Sequence, residues 1–530
     1  MAHIQPEIEQ YLDFLGQAQS YPEKPDEVQL IQTHASVIAL TDQFAYKLKK
    51  SVNFGFLDFS TLAQRHSACL EELRLNRRLS KGIYQDVIPI YWDGSRLDFE
   101  PIEGEIVNYA VKMRRMQESG FLVNLIQKPD FKLQQMDLLV EKLCDFYQSQ
   151  EPRPEVLAWG TPEKLSVSIR DNLKSMQEFV GFTVPIWACE IITEKQELFL
   201  NHRQGLLLKR IDEGKIQDCH GDLRSEHIYL ENDQVHIFDC IEFNESFRFI
   251  DQLNDLAFLL MDLEYRGHYD IAHYFAQKII PKLEEDLVTE LLDFYKIYRA
   301  AVRGKVNSLK AQEHEIAPKI QEESIQKARH YYQWALKYAV LGSMPTIIAV
   351  LGGTATGKST LSRTLSEFLP IKHLNSDLIR KTLAGVDPFE RTPLEEVPRV
   401  YSEEMSRKTY EKLLEEGLAT VRQEGIVILD ATFRQKELME ILHQTTRAAH
   451  IRLILVQTTA PEEVIKARLK SREAQKTVSD MRLDTYRPEA FAYTYSIEEF
   501  GDLAIYADTT EALEIFIPGL LRKFAAIDQD

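Results

Sequence analysis

Residues 352–359 read Gly-Gly-Thr-Ala-Thr-Gly-Lys-Ser, directly after the run Thr346-Ile347-Ile348-Ala349-Val350-Leu351. A short, continuous β-branched and apolar run bounded by Gly342 and Gly352 reads as a strand buried on both faces of a parallel sheet. The string after it satisfies each fixed place of G-x-x-x-x-G-K-[ST], and a helical pattern opens near Ser359. Glycine lets the backbone wrap so that its N–H groups point at a phosphate, and the helix adds the positive end of its dipole. On this reading Gly352, Gly353, Thr354, Ala355, Thr356, Gly357 and Thr360 cradle the phosphates of ATP. Lys358 bridges the β- and γ-phosphates, and the Ser359 hydroxyl ligates Mg²⁺.

At 530 residues the chain is too long for one hydrophobic core. It divides near 335–345, where Gly342-Ser343-Met344-Pro345 breaks a charged helical stretch running from about Leu283 to Leu341. Beyond the break, strand patterns at Ile371–Leu374, Gly425–Leu429 and Ile451–Val456 alternate with helical ones. The helical patterns are Ser359–Phe368, Ser402–Glu416, Lys436–Ala448 and Pro461–Glu473. This order predicts an α/β domain over 345–530, a parallel sheet with helices on both faces. Before the break, Val37–Leu40, Phe44–Leu48, Val87–Trp92 and Val107–Met113 are strand-like and a helical pattern fills Thr61–Leu79. From Gln134 the chain turns mostly helical, with short strands at Ile228–Leu230 and Val235–Phe238. The expectation over 1–340 is a two-lobed α+β fold of the protein-kinase kind. Its β-rich small lobe spans about 30–115 and its α-rich large lobe about 116–340.

A net charge of −19 argues against a broad nucleic-acid surface, which needs a basic face, but leaves room for a local basic pocket. No stretch approaches the roughly 18 apolar residues of a membrane span. The opening MAHIQPEIEQYLDFLGQ shows no basic region followed by an apolar run, so no secretory signal is expected. Cys69, Cys144, Cys189, Cys219 and Cys240 are scattered and form no CxxC, the pattern of reduced thiols in a cytoplasmic protein.

Asp430 ends the apolar strand Ile426-Val427-Ile428-Leu429, where a carboxylate suits holding a Mg²⁺ water and a solvated strand end is the plainer reading. Asp377 follows the second strand, on the side of the sheet where ligands bind, and can accept the proton of an attacking hydroxyl. Arg380, one helical turn on, can hold an anionic group of the acceptor. The competing reading makes Ser376 or Asp377 a helix N-cap. Arg468 and Arg472 are four apart on a late helix and suit a lid arginine over the γ-phosphate, or a solvated face. The succession GGTATGKST, NSDLIRK, VILDATF and an arginine-bearing helix resembles the small P-loop kinases, including gluconate-kinase-like, polynucleotide-kinase-like and zeta-toxin-like proteins. The resemblance implies an Asp general base at 377 and an arginine at 380 on the acceptor's phosphate. It implies a hydroxyl acceptor that is a small molecule, a nucleotide or a nucleic-acid 5′ end.

In the first domain Cys219-His220-Gly221-Asp222-Leu223 precedes a short strand, and Ile237-Phe238-Asp239 ends another. That hairpin brings two carboxylates together, Asp222 to take a hydroxyl proton and Asp239 to bind Mg²⁺. His220 suits a supporting hydrogen bond and Asp255 an anchor for the loop. Phe44-Ala45-Tyr46-Lys47 is similar to the V-A-I-K strand whose lysine binds phosphates, with Glu72 or Glu71 as its helical partner. Arg299, Arg303 and Lys305 on one late helix suit an anion patch or a solvated face. These residues resemble the aminoglycoside phosphotransferase family over roughly 30–310. The whole chain resembles two-domain proteins described as bifunctional aminoglycoside phosphotransferase and ATP-binding proteins, through YKLKKSVNFGFLDFSTL, CHGDLRSEHIYL and FDCIEFNESFRFIDQLNDLAFLLMDLE. The resemblance places the hairpin turn near His34-Ala35-Ser36 in lieu of a glycine-rich loop. It also places His227 where the family's Mg²⁺-binding Asn stands, and imidazole is a poor ligand for that ion. Two outcomes stay open: a working kinase module, or a pseudokinase that binds a ligand and regulates.

Overall fold

The computed structural model describes residues 6–55, 57–285, 289–313, 316–472, 480, 483–484, 486–487 and 493–526. Contacts group the chain into two compact units. One is Met1–Ser166 with Arg203–Leu263 and Ile271–Leu287, and the other is Val167–His202 with Glu264–Asp270 and Val288–Asp530. The helices expected in the large lobe are therefore shared between the units.

The first unit is built on a six-stranded antiparallel sheet, β1 Gln29–Gln32, β2 Ser36–Leu40, β3 Phe44–Lys49, β4 Tyr84–Trp92, β5 Leu97–Asp98 and β6 Glu105–Arg114, in the order β1-β2-β3-β6-β4-β5. Alternation sorts its faces. Val37, Ala39, Tyr46, Leu48 and Ala110 enter one core with Tyr11, Phe14 and Leu15 of a helix Ile8–Gly16 that the sequence reading left unassigned. Ala45, Val111 and Met113 point the other way, onto Cys69 and Leu73 of the helix Leu62–Asn76. Thr61 and Gln64 close that helix's N-terminus as a capping box. Two small antiparallel ladders follow: β7 Ile216–Asp218 with β10 Phe249–Asp251, and β8 Ile228–Glu231 with β9 Gln234–Ile237. The β1–β2 turn lies at 33–35, braced where Thr33 Oγ1 accepts the Ser36 N–H at 3.0 Å.

In the second unit the strands are β11 Thr346–Gly352, β12 Lys372–Asn375, β13 Ile426–Asp430, β14 Arg452–Thr459 and β15 Leu503–Asp508. They form one parallel sheet in the order β12-β13-β11-β14-β15. Every residue of β11 and β13 is buried, as two covered faces require. Ile347, Ala349 and Leu351 pack with Leu413, Val421, Met439 and Leu442 of the helices Glu403–Glu424 and Lys436–Ala448. Toward the other face, the helix Lys358–Phe368 touches β11, β12 and β13. After β11 the chain crosses to one side of the sheet and after β13 to the other. The crevice at the carboxyl ends of these two strands is therefore the topological switch point where such sheets take ligands.

The same unit holds the helices Ile186–His202, Thr289–Ala311 and Pro318–Leu341. Gly304 lets the last two approach, since a Cβ there would stand 2.6 Å from the Tyr332 ring. Arg299 is buried, and Arg303 lies over the Tyr331 ring at 5.6 Å, so neither joins a solvated face. Among the described residues no helix is long and apolar enough to cross a membrane, and all five cysteines are buried and unpaired.

Candidate active site

β11 delivers the chain into the glycine loop through backbone only glycine suits. Gly352 has φ +146°, and a Cβ on it would lie 2.3 Å from Thr458 Oγ1 and 2.6 Å from the Thr458 carbonyl oxygen. Gly357, at φ +100°, would meet Thr509 Oγ1 at 3.0 Å. The loop is held from within: Thr356 Oγ1 bonds to the Gly353 carbonyl at 2.8 Å and to Thr458 Oγ1 at 2.7 Å. Lys358 Nζ donates to the same Gly353 carbonyl at 2.8 Å. Thr354 is partly exposed, Ala355 takes φ +60°, and Thr360 faces solvent from the first helical turn. Arg468 closes the loop from outside. Its Nη1 donates to the Ala355 carbonyl at 3.2 Å and to Thr509 Oγ1 at 3.0 Å, and its Nη2 to the Thr509 carbonyl at 2.6 Å. Arg472 ends the helix Glu462–Arg472, and its side chain lies outside the described residues.

Asn375, which the sequence reading passed over, joins the two halves of this site. Its Oδ1 accepts the N–H groups of Asp377 and Leu378, both at 3.0 Å, so it caps the helix Ser376–Ala384. The expected caps, Ser376 and Asp377, stand inside the helix instead. Asn ahead of a helical pattern is a strong cap signal and would have given the right residue. Asn375 Nδ2 donates to Asp430 Oδ2 at 2.6 Å and approaches Ser359 Oγ at 3.4 Å. Asp430 is buried at the end of β13, and His373 Nε2 lies 3.3 Å from its Oδ2. Burial works against its charge, but the His373 contact, Lys358 and Ser359 together hold its carboxyl below the usual range. A hydroxyl and a carboxylate gathered by one amide are oxygen donors of the kind Mg²⁺ accepts.

The Asp377 carboxyl, partly exposed, is pushed up by burial. Lys358 and Arg380 pull it down, and Asp430 pushes it up again. The loop lysine, the strand-end carboxylate and the first turn of this helix therefore share one electrostatic neighbourhood. Arg380 is buried beneath the Tyr401 ring at 5.1 Å, with Nη1 donating to Ser406 Oγ at 3.0 Å. Its Nε is buried with no hydrogen-bond partner among the described residues. Asp480 braces the same wall, pairing with Lys381 at 3.0 Å and accepting from Thr392 and from the Tyr401 hydroxyl at 2.8 Å.

The first unit holds a second cluster. Lys47 Nζ on β3 pairs with Glu72 Oε1 at 2.8 Å and with Asp239 Oδ1 at 2.7 Å. Glu71, the alternative, turns to Arg74 and Arg248. Lys49, unnoticed in the sequence, takes the other Glu72 oxygen at 2.6 Å and pairs with Glu242. Two residues along a strand share a face, a signal present in Tyr46-Lys47-Leu48-Lys49. Burial opposes the charge on Asp239, yet Lys47 beside it holds its carboxyl well below the usual range. Its backbone is left-handed, at φ +62°. Asp255 anchors the Asp222 loop as expected, accepting the N–H groups of His220 at 3.0 Å and Gly221 at 2.9 Å. Burial keeps His220 below its ordinary pKa, and its ring bonds to the Phe238 carbonyl at 2.9 Å, a supporting and not a titrating role. Arg224 grips Asp222 with both arms, at 2.9 and 2.8 Å.

Each half of the chain is thereby defined by its own architecture and site: an N-terminal α+β fold of the protein-kinase kind, and a C-terminal α/β P-loop domain. Residues 347–491 match a family model described as an AAA domain. Uncharacterized proteins of Mycobacterium tuberculosis and Mycobacterium bovis are 27% identical over 443 residues, spanning 83% of this chain and 85% of theirs. Among solved structures, the chain is similar to the GDP complex of aminoglycoside 2′-phosphotransferase-IIIa. The identity is 15%, the match covers 62% of this chain and 99% of that one, and the TM-score is 0.38. It is also similar to a gluconokinase from Sinorhizobium meliloti, at 17% identity over 35% of this chain and 95% of that one, with a TM-score of 0.24.

Proposed function

We propose that the C-terminal domain transfers the γ-phosphoryl group of ATP to a hydroxyl acceptor. The observation that carries this is the placement of Asp377. Asn375 supplies the helix cap, so the Asp377 carboxylate stays available beside Lys358, Asp430 and Arg380. In this reading the amides of 352–359 and Lys358 hold the β- and γ-phosphates. Ser359 and Asp430 would hold Mg²⁺, which supplies neutralising charge when bound. Asp377 takes the proton of the acceptor hydroxyl as its oxygen bonds to the γ-phosphorus and the bond to the β–γ bridging oxygen breaks. Arg380 directs its buried guanidinium at an anionic group of the acceptor, and Arg468 stabilises the transferring group from the loop edge. The acceptor class is a hydroxyl-bearing small molecule or nucleotide, with a nucleic-acid 5′ end sharing the same chemistry. Buried, unpaired cysteines support a reducing, cytoplasmic setting.

The test is labelled ATP against a panel of polyols, sugars, nucleosides and hydroxyl-ended oligonucleotides. Asp377→Asn should bind ATP and fail to transfer, whereas Lys358→Ala should lose transfer through weakened phosphate binding. Transfer by Asp377→Asn at the wild-type rate would refute the assignment. For the N-terminal module a specific contact supports a nucleotide-binding and regulatory role: Arg224 neutralises Asp222, the residue that would take a hydroxyl proton. Labelling of an acceptor that persists in Lys358→Ala and vanishes in Asp222→Ala would make that module a transferase.

A further inference from the structure

This inference rests on the nucleotide-binding reading of the N-terminal module and concerns its metal. His227 Nδ1 lies 2.9 Å from the Asp222 carbonyl oxygen. A carbonyl only accepts, so Nδ1 carries a ring proton, and in the neutral ring Nε2 is then the nitrogen with the lone pair. Nε2 lies 3.6 Å from Asp239 Oδ2. Lys47 occupies the other Asp239 oxygen, Oδ1, at 2.7 Å, leaving Oδ2 on the imidazole side. A histidine whose second nitrogen is fixed on a backbone carbonyl is the arrangement that stands behind metal-ligating imidazoles. Two donors each about 2.1 Å from one ion sit roughly 3.0–3.4 Å apart, within a small side-chain rotation of this pair. Arg224 Nη2 also reaches Nε2, at 3.3 Å. It keeps its tighter bonds to Asp222, at 2.8 and 2.9 Å, if that contact is given up. His220 cannot substitute, since one ring nitrogen faces the Phe238 carbonyl at 2.9 Å and the other accepts the Asp222 N–H at 3.2 Å.

Mg²⁺ takes oxygen in near-ideal octahedral geometry and fits a mixed imidazole and carboxylate pair poorly, whereas first-row transition dications accept both donors. We propose that the N-terminal site binds a nitrogen-accepting transition dication, for which Mn²⁺ is the probe, in preference to Mg²⁺. Among the described residues no group of three histidine, cysteine or acidic side chains is set to hold an ion. Two protein donors alone hold an ion weakly, so in this proposal nucleotide phosphates supply further oxygens and ion binding at this site depends on nucleotide.

The experiment uses the full chain carrying Lys358→Ala and Ser359→Ala, which disable the P-loop site, titrated with Mn²⁺ with and without ADP and followed by electron paramagnetic resonance. Mn²⁺ should bind only with ADP, show nitrogen coupling in the electron spin-echo envelope, and require roughly tenfold more Mg²⁺ for displacement, the scale on which changes around a metal act. His227→Asn should abolish the coupling and bring the Mn²⁺-to-Mg²⁺ preference down several-fold. Bound Mn²⁺–ADP without nitrogen coupling would overturn the inference and leave nucleotide binding standing, whatever the fate of the variant. An unchanged metal preference in a folded His227→Asn protein would overturn it equally. ADP that binds with neither metal would overturn the nucleotide-binding reading itself.

Discussion

Removing the Asn375 side chain should separate two effects that one residue now combines. Asn375→Ala deletes an N-cap, a loss of about 1 kcal/mol of stability. It also deletes the 2.6 Å bond that Nδ2 gives to the buried Asp430 carboxylate, and a hydrogen bond to a charged group contributes a net of about 1.5–3 kcal/mol. Together the stability loss is about 2.5–4 kcal/mol. Asn375→Ser retains a capping oxygen but is too short to reach Asp430, so it should recover the cap's share, about 1 kcal/mol, and little else. The second effect is functional. Without the amide, Asp430 is held only by its other contacts and the pair it forms with Ser359 loosens. If the Asp430 bond were expressed wholly in metal affinity, the Mg²⁺ requirement for ATP turnover would rise by roughly 10–100-fold, since 1.4 kcal/mol is a factor of ten. Thermal melts give the first quantity and turnover against Mg²⁺ concentration the second. Serine restoring the Mg²⁺ requirement along with the melting temperature would show that Asn375 acts through helix capping alone. Alanine matching the wild type in both would refute the coupling outright.

Three further outcomes follow from other parts of the molecule. Gly352→Ala forces a Cβ within 2.6 Å of the Thr458 carbonyl at φ +146°, so it should destabilise the P-loop unit by at least about 2 kcal/mol in thermal melts and abolish ATP binding by calorimetry. Lys49→Met leaves Glu72 and Glu242 buried with one fewer cation. The cost should be about 3–5 kcal/mol, and a melt within about 1 kcal/mol of wild type would mean the cluster relaxes to admit water. Lys337→Met should stabilise the protein at pH 7. Burial lowers Lys337 from 10.5 to about 8, so between those values the unfolded chain holds a proton the folded one releases, and native stability rises with pH. Below pH 8 the full penalty of roughly 3 kcal/mol applies, partly offset by the contact over the Trp334 ring at 4.0 Å, worth about 1–2 kcal/mol. The net gain of about 1–2 kcal/mol should fade as denaturation is repeated above pH 8.

The parallel sheet was legible because β11 and β13 are apolar throughout and the glycine loop follows the first of them. The small-lobe strands β2, β3, β4 and β6 were legible from their residue types. β1 was not, since Gln29-Leu30-Ile31-Gln32 is largely exposed and carries no alternation. β15, Leu503–Asp508, escaped because a short, half-exposed strand at the end of a sheet has only one neighbour to satisfy. The helix of 403–424 outruns its predicted end at 416, and it carries through Gly417, where a Cβ would stand 3.1 Å from the Leu429 side chain. Sites follow the same rule. Residues fixed by local motif, from Gly352 to Ser359, could be placed by reading. Asn375 with Asp430, Arg224 with Asp222, and Lys49 with Glu242 depend on pairings 55, 2 and 193 residues apart. Even the short-range pair needed the loop's geometry before Arg224 could be seen to turn back on Asp222.

Asp377 at the C-terminal site and Asp239 at the N-terminal one stand in opposite electrostatic conditions, and this bears on what a nucleotide meets at each. At the C-terminal site Asp377 carries a raised pKa, and Lys358 Nζ donates to the Gly353 carbonyl at 2.8 Å. At the N-terminal site Lys47 already pairs with Asp239 and Arg224 with Asp222. Phosphate arriving there must compete for Lys47, and Asp239, released from it, needs a new positive partner, because a partly buried charge left alone is expensive. A dication entering with the nucleotide would meet that need at Asp239. On the proposed reading the Arg224 grip on Asp222 disfavours proton abstraction, and Arg224→Ala, by removing it, should raise any N-terminal phosphoryl transfer while weakening nucleotide binding little. A loss of transfer in that variant would make Arg224 a phosphate ligand and reverse the assignment.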